Sequence, residues 1–521
     1  RGKPSHHTRQ HEVGGRVVVD SPLNRPMAPA SKKHAVVGLA LLIGSAAAAP
    51  AEDAVTSLPG FNGTLPSKMY SGFIDASETK HLHYILVESQ GDPATDPVAI
   101  WFNGGPGCSS LDGFLYEHGP FRFAPYDGTA APKLELFEYS WTKLATMIYI
   151  EQPVGVGFSY SSATPALSDY DCDDDSAAAD NLAAVQALFA TKFPEYASHD
   201  LYITGESYAG IYVPTLAEAI VLAGDSYTGP PLKGIAVGNG CSGSEIGICA
   251  FGSSQSQYYT TQFLMNSGFA PESLKSKISD VCDLDTWARG EEQTATCDAA
   301  VDELSLLTER LDTYCVYCDC GEQFPADGAA YVSAAKKESR AQMRADKIKN
   351  FARAIGDARG QPRTSTSACI DSDAASAYLN QAAVQTALHV TEAKVSNWAV
   401  CNDAKGWSYT STRPNLPRDT YPLLVANIGV TIYNGDWDAC VPYTDNEGWT
   451  SGMGFNVTQA WHPWTSEVNN YVSVGGYATQ YAVDGPLFQF TTVRGGRHEV
   501  PETAPERAFE MIKHVFANEA L

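Results

Sequence analysis

Positive charge is scarce in this chain: 35 Lys and Arg stand against 60 Asp and Glu, a formal charge of -25 over 521 residues. A protein of that sign repels a phosphate backbone, so nucleic acid is not expected as a partner. Long hydrophobic runs are missing too. The apolar stretch Ala35–Ala49 falls short of the ~20 residues that span a bilayer, and no membrane anchor is expected elsewhere. No spacing of His, Cys or acids announces a metal, and Gly104-Gly105-Pro106-Gly107 lacks the Lys-Ser/Thr ending of a phosphate-cradling loop. Neither a metal nor a cofactor is therefore expected. What is present suits a large folded protein: 44% hydrophobic and 11% aromatic residues with 18% charged, a composition that excludes disordered and fibrous chains. The length allows about three domains, or one large α/β unit with insertions.

Arg1–Arg25 has no apolar periodicity, and 1–26 reads as leader that is not part of the protein. Met27 is followed by Lys32 and Lys33, the apolar run and an alanine-rich end. A basic n-region, a short apolar h-region and an Ala-x-Ala site describe a secretory signal peptide over 27–49. The twelve cysteines then sit in an oxidising compartment and are expected to be mostly paired. The same route makes Asn62-Gly63-Thr64 and Asn456-Val457-Thr458 usable as glycosylation acceptors.

Beyond the signal, strands and helices alternate. Short β-rich runs occur at Leu82–Glu88, Val98–Phe102, Met147–Ile150, Leu201–Thr204 and Ile235–Val237, and again at Val430–Tyr433 and Phe488–Val493. A helix is predicted over Ser176–Lys192, with Ala178, Leu182, Val185 and Phe189 on one stripe and Pro194 just beyond. A last helix follows Thr503 and Glu506, which have the spacing of a capping box, and its stripe is Ala508, Met511, Ile512 and Val515. Such alternation predicts an α/β protein with a mostly parallel sheet and helices on both faces. The pattern breaks over 242–369, where Cys249, Cys282, Cys297, Cys315, Cys318 and Cys320 crowd among helical stretches. The expected organisation is a core of 55–241 and 370–521, interrupted by a helical cap.

Three segments carry chemistry. Leu201-Tyr-Ile-Thr-Gly205-Glu206-Ser207-Tyr208-Ala209-Gly210 runs from strand into Gly-x-Ser-x-Gly and on into helix. Small residues two positions either side of Ser207 permit a sharp turn that exposes its hydroxyl as a nucleophile. The strand Val430–Tyr433 runs into Asn434-Gly435-Asp436-Trp437-Asp438. An acid is needed there to orient a histidine, but a spacing of two puts Asp436 and Asp438 on the same side of an extended chain and does not choose between them. His498 lies in Gly495-Gly496-Arg497-His498, a glycine loop between strand and helix. The order Ser, Asp, His is that of α/β-hydrolases.

Longer motifs add a family. Trp101-Phe-Asn103-Gly104-Gly105-Pro106-Gly107-Cys108-Ser-Ser, Tyr116-Glu117-His-Gly-Pro, Glu151-Gln-Pro-Val-Gly-Val-Gly-Phe-Ser-Tyr160 and Gly205-Glu-Ser-Tyr-Ala-Gly210 resemble the serine carboxypeptidases. The stretch Ser110–Phe121 looks most like the cathepsin A branch, and the resemblance runs from about Leu58 to Phe516. It implies an α/β-hydrolase fold and a serine-type exopeptidase that releases C-terminal residues from peptides and proteins through an acyl-enzyme. By the same resemblance Ser207 is the nucleophile, His498 the general base and acid, and Asp438 the orienting acid. The N–H groups of Gly105 and Tyr208 form the oxyanion hole. Asn103, Gly104, Glu117 and Glu206 bind the substrate's free C-terminal carboxylate, the two glutamates sharing a proton. That arrangement implies an acidic pH optimum and a lysosomal, vacuolar or extracellular setting; a homodimer is left open. Disulfides Cys108–Cys401, Cys282–Cys297 and Cys320–Cys369 carry over from the resemblance. Cys241–Cys249 and Cys315–Cys318 are suggested by proximity in the chain, and Cys172 and Cys440 are left free.

Two departures concern specificity: Gly-Gly-Arg-His places Arg497 beside the base, and Ala-Cys-Val-Pro after Asp438 is closer to plant relatives. Rival functions are acyl transfer, which plant relatives perform with the same elbow, and a chaperone-like role. Asn103, Glu117 and Glu206 favour hydrolysis over transfer, and a complete triad argues against a purely structural role. The segment from Lys336 to Arg363 is strongly basic within an acidic chain, which fits an excision segment of a two-chain enzyme as well as a basic helix face. If it is excised, limited trypsin treatment cuts between Lys336 and Arg363 and raises activity; a cut there without gain speaks for a plain basic face.

Overall fold

A computed structural model describes residues 49–164, 168–309, 311–318, 372–395, 397–402, 406–468 and 471–521. The leader and all but the last residue of the signal segment, the bond Cys320–Cys369 and the basic stretch 336–363 lie outside them. The described residues belong to one compact unit, Ala46–Leu521.

Its centre is a 12-stranded sheet. Six neighbouring strands run parallel, in the spatial order Thr146–Ile150, Val98–Phe102, Leu201–Glu206, Leu232–Gly238, Gly429–Gly435 and Phe488–Val493. Antiparallel strands flank them: Lys80–Val87, Met69–Asp75 and Ala54–Val55 on one side, Tyr471–Tyr481 and Val457–Val468 on the other. All seven β-rich runs read from the sequence are strands of this sheet, two of them, Val98–Phe102 and Phe488–Val493, to the residue. Five of these six strands are wholly buried, and Leu232–Gly238 is buried from Gly234 on. Their alternate side chains enter two separate cores: Ile100, Ile148 and Ile432 pack on one face, Trp101, Tyr149 and Tyr433 on the other. A sheet covered on both faces by helices needs such continuous apolar strands.

The helix predicted from Ser176 begins two residues earlier, at Asp174, because Asp173 caps it and Ser176 closes a capping box. It ends in a π turn, Leu188–Lys192. The capping box expected at Thr503 and Glu506 does not form. The last helix, Pro505–Phe516, has Ala504 at its cap, and the Thr503 hydroxyl accepts from the N–H of Arg497 at 3.0 Å instead. A tertiary partner takes the oxygen that local spacing assigned to the helix. The hairpin Val457–Val468 with Tyr471–Tyr481 was not anticipated, because three register shifts and Pro463 break the alternation that would reveal it.

In the cap region, helices Ser254–Asn266, Glu272–Val281, Leu284–Ala288 and Ala295–Thr308 share a core of Phe263, Ile278, Trp287 and Val301. Cys282–Cys297 ties two of them, and Cys108–Cys401, Cys241–Cys249 and Cys315–Cys318 also form. Cys172 and Cys440 are free.

A buried polar knot joins distant parts of the core. His83 Nδ1 meets Glu151 Oε2 at 2.8 Å and His83 Nε2 meets Ser71 Oγ at 2.9 Å. Glu151 also accepts from the Phe158 N–H, from Trp398 Nε1 at 3.0 Å and from the Ser109 hydroxyl. Removing one partner strands the other's polar or charged group in a fully buried place. His83→Ala is expected to lower unfolding stability by about 3–5 kcal/mol, measured by denaturant titration; a change under ~1 kcal/mol would show that the knot is not structural.

Candidate active site

The strand Leu201–Glu206 turns directly into the helix Ala209–Ala223 through Ser207, whose φ is 60°. Such a turn needs small neighbours. A Cβ at Gly210 would stand 2.4 Å from the Cys241 carbonyl oxygen, and one at Gly104 would stand 2.4 Å from the Tyr208 nitrogen and 2.7 Å from Ser207 Cβ. The loop Asn103–Cys108 therefore approaches the serine and the Tyr208 N–H as closely as backbone can.

Two further loops complete the site. Asp438 Oδ2 accepts from His498 Nδ1 at 2.7 Å and from Asn239 Nδ2 at 2.6 Å, and its other oxygen accepts from the Cys440 N–H at 2.8 Å. Asp436 turns elsewhere: its Oδ1 accepts from the Gly495 N–H at 2.7 Å. The structure thus pairs His498 with Asp438 and not with Asp436. His498 Nε2 is buried and has no hydrogen-bond partner, which leaves that nitrogen free to take a proton. Burial alone would depress the imidazole, but the charge and hydrogen bond of Asp438 outweigh it and hold His498 above its ordinary range.

Asn103, Glu117 and Glu206 also meet. Trp101 Nε1 donates to Asn103 Oδ1 at 2.7 Å and the Gly113 N–H does so at 3.0 Å. This fixes the amide, so its nitrogen faces Glu117 Oε1 and Glu206 Oε1, each at 3.0 Å. Both carboxyls are buried and held well above the usual carboxylate range, first by burial and then by neighbouring acids, Asp112 and Glu499 for Glu117 and Glu117 with Glu499 and Asp112 for Glu206. One carboxylate oxygen from each of Asp112, Glu206 and Glu499 lies within 4.8 Å of the others. This is the one acid group among the described residues compact enough to hold a cation. Arg497 supplies positive charge beside it, with Nε 3.2 Å from Glu499 Oε2 and Nη2 on Glu502. The arginine that departs from the expected motif is thus committed to two acids.

A family model described as serine carboxypeptidase matches residues 59–518. The chain belongs to that family. It is a serine-type carboxypeptidase. Serine carboxypeptidase-like 21 of Arabidopsis thaliana is 35% identical, over 91% of this chain and 95% of the relative. Serine carboxypeptidase 1 of Hordeum vulgare is 33% identical, over 91% and 94%. Lysosomal protective protein of Mus musculus is 32% identical, over 91% and 95%. Among solved structures, Kex1Δp, a prohormone-processing carboxypeptidase from Saccharomyces cerevisiae, matches with a TM-score of 0.60 at 21% identity, over 87% of this chain and 91% of that one; it shares the fold.

Sequence reasoning passed over several carboxypeptidase residues that the structure brings in. Asn239, at φ 43°, grips Asp438. The Tyr314 carbonyl accepts the His498 N–H at 3.0 Å, and the Tyr314 ring stands edge-on to the imidazole at 4.7 Å. Asp112 and Glu499 surround the glutamate pair. Glu499, next to His498, and Asp112, within Ser110–Phe121, stood in quoted segments without being assigned a role. The raised Glu206 has a stability consequence. An acid whose folded pKa lies above its unfolded value stabilises below the unfolded pKa, and that contribution is lost as pH rises through the folded one. Glu206→Gln removes the titration, so its Tm is expected to exceed the wild-type Tm at neutral pH and not at pH 4. Equal differences at both would show that Glu206 is not buried as an acid.

Proposed function

We propose that this carboxypeptidase removes C-terminal residues with Ser207 as nucleophile, His498 as proton carrier and Asp438 as the acid that orients it. Ser207 Oγ attacks the scissile carbonyl carbon while its proton passes to His498 Nε2. The oxyanion is received by the N–H groups of Gly105 and Tyr208. Collapse breaks the C–N bond, and the leaving amine takes the proton from Nε2; water then repeats the sequence and frees the acyl group. Asp438 stays ionised and stabilises the imidazolium. The observation that carries the reading is the buried Asn103–Glu117–Glu206 cluster beside the Ser207 turn. A hydrolase acting on internal bonds has no use for protonated carboxyls there, whereas a free C-terminal carboxylate needs donors. Gly104, in the same loop, joins the set that holds that carboxylate, as the family resemblance implies.

The pH behaviour follows from two groups of opposite sign. His498 must be neutral, so activity falls as pH drops through its raised pKa. The glutamate pair must keep its proton, so binding of a peptide acid weakens as pH rises through theirs. The free-acid optimum therefore lies on the acid side of the optimum for amidated substrates, which carry no charge for the pair to repel. This fits an acidic compartment reached through the secretory pathway, a lysosome, vacuole or extracellular space. The four disulfides and the exposure of Asn62 and Asn456 support that route. We assign 55–241 and 370–521 to the catalytic core and 242–369 to the cap.

The test is kinetic. Ser207→Ala is expected to abolish turnover and labelling by a fluorophosphonate. Asp438→Asn should cost about 10⁴ in kcat, and Asp436→Asn far less. With wild type, KM for peptide acids should climb by about tenfold per pH unit once the pair titrates, with kcat little changed. Identical pH profiles for free-acid and amidated peptides, or a greater loss with Asp436→Asn, would overturn the assignments.

A further inference from the structure

Behind the loop that carries His498 lies a cleft of about 530 Å³ lined by Trp437, Arg494, Gly495, Thr503 and Arg507. Its inner wall is shared with the active site, since the Trp437 N–H donates to the Gly496 carbonyl at 2.9 Å and Trp437 stands between Asp436 and Asp438. The floor is open because Gly495 has no side chain: a Cβ there would meet only Arg507 Nη1 and Trp437 Cζ2, both at 3.9 Å.

Two guanidinium groups side by side are unusual in a chain of formal charge -25. Among the described residues neither Arg494 nor Arg507 has an acid within ion-pair distance, and Arg507 Nε is shielded from solvent without an acceptor. The acids that act on Arg507 are Asp436 and Glu506. Asp436 already accepts the Gly495 N–H, and neither acid closes on a guanidinium. The cationic side of the cleft is disfavoured as it stands: burial and then the like charge of Arg494 depress the Arg507 pKa. Planar guanidinium donors match the oxygens of carboxylates and phosphates, and an indole wall suits an organic carrier.

We propose that this cleft binds an oxyanion, a carboxylate or phosphate borne by a small organic molecule or an acidic peptide, held by Arg494 and Arg507 against Trp437. The volume falls in the range of small-molecule sites and exceeds what an inorganic ion fills. The site does not depend on the catalytic reading, and binding can be measured without turnover.

The experiment is calorimetric titration of the full chain carrying Ser207→Ala, at fixed ionic strength, with two probes. One is inorganic phosphate. The other is a blocked, C-terminally amidated Asp-Glu peptide, with its Asn-Gln counterpart as control. Saturable one-to-one binding is expected for the acidic peptide and not for the neutral one, weakened tenfold or more by Arg507→Gln and by Arg494→Gln. Arg494 is exposed, so its replacement tests the site without disturbing the last helix. If phosphate binds with the same arginine dependence, a free oxyanion is sufficient; if only the peptide binds, the organic carrier is required. Either result supports the site. Absence of saturable binding by both probes, or binding that neither substitution weakens, overturns it.

Discussion

Ser207 at φ 60° stands at the end of a buried strand, a backbone position that costs of order 1–3 kcal/mol and persists only where its surroundings hold it. They do so through backbone alone. The Ser207 N–H donates to the Gly238 carbonyl at 3.0 Å, and its own carbonyl accepts from Cys241 and Gly210 at 3.0 and 2.9 Å. Neighbouring parallel strands are therefore what keep the hydroxyl at the sheet's carboxyl edge. The other site residues come from the same edge: Asn103 follows Val98–Phe102, Asn239 follows Leu232–Gly238, Asp438 follows Gly429–Gly435 and His498 follows Phe488–Val493. Parallel strands bring these ends together because every one of them points the same way.

Charge is handled differently at the two halves of the site. Asp438 is surrounded by donors, so its negative charge is available to the imidazole. Glu117 and Glu206 have one shared amide and acids for neighbours, and burial together with those acids holds both carboxyls above the usual range. The contrast is made by hydrogen bonding, since all three carboxyls are buried. Asn103 is central to it: with its oxygen taken by Trp101 and Gly113, its nitrogen must serve both glutamates. Arg497 limits the cost of the remaining acids by pairing with Glu499 and Glu502. Stability given up at such buried acids is the usual accompaniment of a binding site.

The segment Thr313–Val316 contributes to the geometry of the site. Thr313 accepts the N–H groups of Ala439 and Cys440, Val316 donates to Trp437, and Tyr314 accepts from His498. One short stretch thus ties the acid loop to the base loop. The Cys315–Cys318 bridge lies within it.

Periodicity and turn chemistry in the sequence determined the parallel strands, the elbow at Ser207 and the amphipathic stripe of the last helix, because each depends on residues a few positions apart. The motif resemblance added the family and the set Asn103, Glu117 and Glu206. Choice between Asp436 and Asp438 was beyond local spacing: two aspartates two residues apart differ only in what folds against them, Gly495 for one and His498 with Asn239 for the other. The hydroxyl of Thr503 was likewise claimed by Arg497 across a loop. Asn239, Tyr314 and the arginine-lined cleft were illegible for the same reason. Their significance lies in distances between strand ends and loops far apart in the chain, and only the packed sheet sets those distances.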